Sequence, residues 1–490
     1  MTLERANHLI GGKDRSPGGG LYAPLYDPST GEVRGEVARG TSQDVGVAVD
    51  SAYECAESWA STPGHERARI LRTISDRLRA DKENLAHLIA VEVGKPIRDS
   101  RVEVDRAIGV YAMAAEEIRQ LTGETFPADS YPMPKGNEGR LIFTVREPVG
   151  VVAAISPFNY PLNLLSHKVA PALATGNTVV AKPTSVAPFT ALKLAEHALA
   201  SGVPPGAFNV VLGGGDDIGK ALVQNEKTRL VTFTGSTSVG KVIAERAGQG
   251  AKRVILEMGG LDPLIVFKDA PMSSAVEAAL RGAYGYSGQV CTATKRIFVQ
   301  DSVAELFTRS LVERVSSLKV GPALEESTDV GPLIDRAALD RMDAVVHDAI
   351  DRGAKVLIGG TRPKDLTGGY YYMPTVLGQV AKGSSVVRDE PFGPIAPIQR
   401  FSTEEEVLKM ANDTMYGLQA AVYTMDIGRA FRVARGLHAG GVHLNDPTSL
   451  RWDALPFGGM KSSGLGREGL RYAMEEMTEV KTISVNVSQV

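Results

Sequence analysis

Three side chains in this sequence stand where they can do chemistry. Cys291 lies in GYSGQVCTATKR, among small polar residues that predict a turn. Glu257 follows an apolar run and precedes two glycines in ILEMGG, a poor place for a carboxylate kept only for solubility. Asn159 ends another apolar run in SPFNYP. A thiol nucleophile with a general base is what acyl chemistry through a thioester requires. An amide side chain together with the Cys291 backbone N–H can hold the oxyanion that such chemistry creates. A lone cysteine is more often structural than reactive, and only this context favours Cys291. The second cysteine, Cys55, sits beside Ala52, Ala56 and Trp59 on a helical pattern and reads as a small buried apolar residue.

The elements that must position these groups follow from the apolar patterning. VGVVAAIS (149–156), NTVVAKP (177–183), AFNVVLG (207–213) and RLVTFTG (229–235) are buried-strand runs. Helical patterns at 161–175, 188–201, 216–225 and 238–247 separate them. This alternation predicts a parallel sheet covered on both faces, with ligands at the carboxyl ends of its strands. It restarts after KRVILEMGG with strands at 263–267, 295–300 and 354–360 and helices near 273–285, 302–317 and 336–352, so a second α/β unit begins near 257–262. Upstream, DPSTGEV (27–33) is a turn between strands. Helices are expected over 44–60, 64–92 and 97–120, with Ser42 and Asp44 as candidate caps after Thr41. GRLIFTVREP (139–148) reads as a hairpin strand. The last strand, VKTISVNV, has no obvious partner nearby in sequence, and pairing with the 139–147 strand of another subunit is the expectation.

Two glycine clusters bear on phosphate binding. GGGDDIG (213–219) misses the dinucleotide fingerprint by one residue and carries two aspartates, which makes it mostly a turn. FTGSTSVG (233–240) follows a strand, opens a helix and has no acid, so it is the better place for a pyrophosphate to meet helix N-terminal amides. Lys182 ends a buried strand, where its ammonium must emerge at the sheet's carboxyl edge, and Ser185 follows. A carboxylate at Ser185 would grip ribose hydroxyls and repel a 2′-phosphate. Serine does not repel it.

The composition sets outer limits. The 490 residues allow two or three domains, and 43% apolar with 23% charged residues is ordinary for a soluble globular protein. A net charge of −3 argues against nucleic-acid binding. No signal peptide or bilayer-spanning stretch is expected. Two cysteines make neither a disulfide framework nor a four-ligand zinc site, so no metal is expected and a reducing cytoplasm is the simplest location.

Taken together, SPFNYPL, ALATGNTVVAKPT, VTFTGSTSVG, LEMGG, GQVCTATKR, DEPFGP and PFGGMKSSGLGREG resemble the aldehyde dehydrogenase superfamily, in family order and spacing over almost the whole chain. The resemblance implies an α/β fold: a Rossmann-type cofactor domain, an α/β catalytic domain and a small β oligomerisation extension. It places the cofactor domain at 1–130 and 148–257, the catalytic domain at 258–445, a substrate loop returning to the cofactor domain at 446–469, and oligomerisation strands at 131–147 and 470–490. It implies Cys291 as nucleophile, Asn159 as oxyanion donor and Glu257 as the base that hydrolyses the thioester; relatives that pass the acyl group to coenzyme A typically lack this glutamate. It implies NADP or NAD as cofactor, with Ser185 favouring NADP. Contacts would come from Ser156, Pro157, Phe158, Lys182, Ser185, Gly215, Phe233, Gly235, Ser236, Val239, Glu257, Gly259, Glu390 and Phe392. A homo-oligomer, tetramer or dimer, is the implied assembly. Leu261 departs from the residues often found after EMGG, at a position without chemistry.

The same resemblance lines the aldehyde pocket with Tyr160, Leu164, His167, Val290, Thr292, Arg451 and Phe457, and Arg106 is a further candidate. An arginine fork suits a carboxylate, phosphonate, phosphate or sulfonate. The ending NDPTSLRWDALPFGGMKSSGLGREG resembles the lactaldehyde, phosphonoacetaldehyde and sulfolactaldehyde dehydrogenase group, with non-phosphorylating glyceraldehyde-3-phosphate dehydrogenases nearby. A short aldehyde with an anionic tail is therefore expected, phosphonate, sulfonate or phosphate before carboxylate, and succinate semialdehyde or lactaldehyde is the alternative. Plain structural readings compete: Arg451 bridging Asp446 or Asp453, Arg106 paired with Glu103 on a helix surface, and His167 with Lys168 capping a helix face. A non-catalytic, cofactor-binding or structural relative is the alternative of another class, and it would need none of Cys291, Glu257 and Asn159.

Overall fold

Apolar β-branched runs build the centre of the molecule. A computed structural model describes residues 4–487. The outermost ends of the expected domain ranges, 1–3 and 488–490, lie outside the described residues. The strands Val151–Ile155 and Thr178–Lys182 are wholly buried, as continuous apolar runs in a parallel sheet must be. They lie in an eight-stranded sheet with Arg253–Glu257 and Thr228–Thr234 on one side and Phe208–Val210 on the other. These five strands are parallel. Antiparallel strands His8–Ile10 and Gly464–Leu465 extend the sheet on either side.

Five residues after Glu257, Asp262–Val266 enters a second, seven-stranded sheet beside Thr294–Gln300 and Gln419–Tyr423. Glu257 thus stands at the carboxyl end of one sheet, and Cys291 stands three residues before a central strand of the other. The link Met258–Leu261 is buried throughout. Helices Met272–Tyr284 and Asp301–Ser316 cover the second sheet with their apolar faces.

Three sequence expectations are corrected. The last strand, Thr478–Asn486, finds its partner within the chain. It pairs antiparallel with Arg140–Pro148 over nine residues, from Thr478 opposite Pro148 to Asn486 opposite Arg140. Helix Leu470–Glu476 returns the chain to the start of that strand, so sequence distance hid the pairing. The cap of helix Ser42–Ala60 is Thr41, not Ser42. Its hydroxyl accepts from the Asp44 amide and Asp44 accepts from the Thr41 amide, a capping box. The helix expected at 216–225 is a wide turn at Gly215–Gly219, with a glycine at each end, leading into the short helix Lys220–Gln224. Cys55 packs against the core but is half-buried. Among the described residues no helix is long and apolar enough to cross a membrane, and no cluster of His, Cys, Asp and Glu could hold a metal.

Candidate active site

The loop that carries Cys291 is held in a conformation side chains seldom adopt. Tyr286, Ser287 and Gly288 have φ of 45°, 54° and 68°, three left-handed residues in succession. Each such non-glycine residue costs roughly 1–3 kcal/mol and persists only where its surroundings over-determine it. Those surroundings are present. The Tyr286 hydroxyl donates to the Val93 carbonyl (2.8 Å) and Ser287 Oγ to the Gly331 carbonyl (2.7 Å). Gln289 Oε1 accepts from the Ile334 amide (2.9 Å). A Cβ at Gly288 would stand 2.2 Å from the Gly393 carbonyl oxygen, so only glycine fits.

Asn159 reaches this loop. Its Nδ2 donates to the carbonyl of Gln289 at 3.0 Å, two residues before Cys291, which leaves a second N–H on the same nitrogen. Burial pushes the Cys291 thiol up to about 12, against the opposing pull of Lys295 and Arg451. The resting thiol is therefore protonated. Lys295 Nζ donates to the Cys291 carbonyl and pairs with Glu390 at 3.0 Å.

Glu257 is buried with both carboxylate oxygens lacking a hydrogen-bond partner. Burial first, then the Glu468 carboxylate, raise its pKa well above the ordinary range. Glu468 is the ionised member of this pair. Burial opposes its charge, but Lys168 (2.7 Å) and Arg451 (3.0 Å) hold it low. A carboxyl whose charged form is disfavoured by burial and whose oxygens are both unbonded can accept a proton from water once it ionises.

A cavity of about 650 Å³ opens beside Cys291. It brings together Pro157, Phe158, Asn159, Gly235, Ser236, Gly259, Glu390 and Phe392 among the expected residues. Ser236 caps helix Thr237–Gln249, whose first amides are thereby presented at the cavity. Gly259 lets Glu390 lie close, since a Cβ there would be 2.3 Å from its Oε2. Phe233 instead lies under Gly235 as core, and Val239 is exposed on the first helical turn. Ser156 is buried, its Oγ without a partner. Ser185 donates to the Gly213 carbonyl (2.8 Å). Gly215 is exposed in the wide turn, where the Asp216 side chain lies outside the described residues. Lys182 is buried with only the Pro183 carbonyl at 3.2 Å, and burial pulls its pKa down to about 8. An ammonium so poorly answered, a helix N-terminus and a cavity of this size fit a dinucleotide. Sequence reading missed Lys241 and Arg341, cations on the cavity wall. Lys241, three residues past Ser238 on the same helix, could have been found from helical spacing.

The expected substrate residues lie outside that cavity, and three of them converge on one acid. Asp453 receives Arg106 through Nε (3.1 Å) and Nη2 (2.5 Å), and His167 through Nε2 (2.9 Å). Arg451 Nε stands 3.6 Å from the same carboxylate, buried and without a hydrogen bond. Arg451 also stacks on Phe457, its Cζ 3.8 Å from the ring centroid. The expected pairing of Arg106 with Glu103 does not form, because Glu103 is wholly buried against Lys95 and accepts the Leu162 and Asn163 amides. Of the two acids expected for Arg451, only Asp453 is near, and Glu468 takes the shorter contact. His167 and Lys168 are buried, so neither caps an exposed face. Tyr160 packs under Lys95, whose Nζ is 3.6 Å from its ring centroid. Leu164, Val290 and Thr292 are buried, and the Thr292 carbonyl accepts from Thr448.

Comparison with known proteins gives the family. The model of the aldehyde dehydrogenase family matches residues 18–483. A lactaldehyde dehydrogenase of Methanocaldococcus jannaschii is 42% identical over 94% of this chain and 97% of its own. A 3-sulfolactaldehyde dehydrogenase of Priestia aryabhattai is 41% identical over 92% of each. The crystal structure of betaine aldehyde dehydrogenase from Staphylococcus aureus in complex with NAD+ superimposes with a TM-score of 0.94 at 34% identity, covering 98% of this chain and 95% of that one. The chain belongs to the aldehyde dehydrogenase family.

Proposed function

We propose that this protein oxidises a short aldehyde with an anionic tail to the carboxylic acid, using NADP or NAD. The observation that carries the tail is the convergence of Arg106, His167 and Arg451 on one buried carboxylate, with Arg451 Nε left unbonded. A buried guanidinium N–H without a partner is costly, and a sulfonate, phosphonate or carboxylate oxygen would complete it.

The Cys291 thiol gives its proton to solvent, and the thiolate sulfur bonds to the aldehyde carbon as the C=O π pair moves onto oxygen. The oxygen that becomes negative is held by the free N–H of Asn159 Nδ2 and the Cys291 amide. A bound nicotinamide would supply the acceptor for the hydride on the carbon attached to sulfur. The resulting thioester stays on Cys291 until Glu257 takes a proton from water and the hydroxide attacks the acyl carbon. The C–S bond then breaks with its electron pair going to sulfur, the acid leaves, and the proton held by Glu257 passes to the thiolate to restore the thiol. Lys182, Ser185 and the start of helix Thr237–Gln249 hold the adenosine and phosphates. A serine at 185 leaves room for a 2′-phosphate, so both cofactors are accepted, NADP first.

A second reading is favoured by one fact: the Arg106 fork is already spent on Asp453. A hydroxyaldehyde such as lactaldehyde would then bind by neutral hydrogen bonds. One panel separates the two. Nicotinamide reduction is followed with phosphonoacetaldehyde, sulfolactaldehyde, glyceraldehyde-3-phosphate, succinate semialdehyde, lactaldehyde and propanal. The anionic reading predicts at least one charged aldehyde ahead of propanal by roughly 10–100-fold in kcat/KM, the worth of one or two charge-assisted hydrogen bonds. Lactaldehyde ahead of every charged substrate would replace it with the second reading. No turnover with any, cofactor still binding, would leave the non-catalytic alternative.

A further inference from the structure

Asp453 sits where a tail-binding site would least be expected to hold an acid. The loop around it turns Trp452 and Leu455 outward, each more than half exposed, and turns the carboxylate in. The Asp453 side chain is only 8% exposed. It ties the helix Ile97–Glu117, through Arg106, to the helix Asn163–Ala174, through His167, from 347 and 286 residues away. Burial alone would raise its pKa, but His167 and Arg106 hold it well below the carboxylate range, so it stays charged.

The ion pairs form one connected chain: Arg106 to Asp453, Asp453 to Arg451, Arg451 to Glu468, Glu468 to Lys168. Burial and the nearby Arg451 keep His167 toward its neutral form. Three cations then face two carboxylates, and one positive charge is left. The neighbouring Lys95 is answered by Glu103, and Lys295 by Glu390. Arg467, facing Glu257, is bound to the Gly459 and Gly466 carbonyls.

We propose that Asp453 sets the charge of the tail, admitting singly charged aldehydes and disfavouring doubly charged ones. The inference rests on the anionic-tail reading and deepens it. One negative charge on the substrate neutralises the chain. A second would face the Asp453 carboxylate in a poorly hydrated site, where like charges repel strongly. This is discrimination by repulsion: the acid takes up arginine capacity that a phosphate would otherwise use.

The test compares two tails of like shape on the intact enzyme with saturating cofactor: sulfoacetaldehyde, singly charged throughout, and phosphonoacetaldehyde, whose second proton leaves near neutral pH. In the wild type, the phosphonate-to-sulfonate ratio of kcat/KM falls about tenfold or more as pH rises through that ionisation. In Asp453→Asn, the ratio at alkaline pH rises by a similar factor and its pH dependence flattens. Asp453→Glu keeps the wild-type pattern. A wild-type ratio independent of pH overturns the proposal without recourse to any variant, as does an unchanged ratio in Asp453→Asn with normal cofactor affinity. If neither tail outperforms propanal, the anionic-tail reading itself has failed, a separate result seen in the wild type alone.

Discussion

Replacing Glu257 by Gln separates the two halves of the reaction. The side chain is buried and unbonded on both oxygens, and burial and then Glu468 raise its pKa well above the ordinary range. Glutamine fills the same space but cannot take a proton. A positioned general base contributes roughly 10²–10⁴ in rate, which is about 2.7–5.5 kcal/mol of barrier. Steady-state turnover of Glu257→Gln should fall by that factor. Formation of the thioester should persist, so mixing enzyme, cofactor and aldehyde in a stopped-flow spectrometer should give a burst of about one reduced nicotinamide per subunit and then a stall. The pH profile has a definite sign. Because the folded pKa is raised, the basic form appears only as pH rises, and wild-type deacylation climbs toward alkaline pH. The variant loses that climb. The same raised pKa contributes stability that is complete below the unfolded value and lost as pH rises through the folded value. Thermal unfolding of Glu257→Gln should therefore decline less at alkaline pH. Unchanged steady-state turnover, or the absence of a burst in folded, cofactor-binding enzyme, would refute the reasoning.

Three further outcomes follow from the site and its frame. Asn159→Ala should lower kcat by roughly 10²–10³ with little change in cofactor affinity, because it removes one oxyanion donor; steady-state kinetics and a cofactor titration check both. Ser185→Glu should shift the ratio of kcat/KM toward NAD by repelling the 2′-phosphate, and an unchanged ratio would place the adenosine ribose elsewhere. Thr41→Ala removes one half of the capping box on helix Ser42–Ala60 and should cost about 1 kcal/mol in chemical denaturation, leaving kinetics unaltered.

What the sequence reveals and what it hides have a physical division. The runs ending at Ile155, Lys182 and Glu257 were legible because a strand buried on both faces must be continuously apolar, which makes a polar residue at its end conspicuous. Asn159 stood out for the same reason, and Cys291 because the small polar residues around it predict a turn. Asp453, Glu468 and Lys168 did not, since acids and lysines in loops and helices are ordinary until burial is known. Their burial is created by partners such as Arg106 and Thr234, hundreds of residues away. The in-chain pairing of Thr478–Asn486 with Arg140–Pro148 was hidden likewise, since strand pattern specifies a face but names no partner. The left-handed Tyr286 and Ser287 break local rules at the nucleophile loop, where strain is held by surrounding contacts.

The central claim is that Cys291, and not Cys55, carries the acyl group. Glu257→Gln enzyme mixed with cofactor and a preferred aldehyde, quenched in acid and analysed by peptide mass spectrometry, tests it most directly. The mass of one acyl group is expected on the peptide holding Cys291 and none on that holding Cys55. An acyl group on Cys55, or sustained turnover with Cys291 never modified, would contradict it.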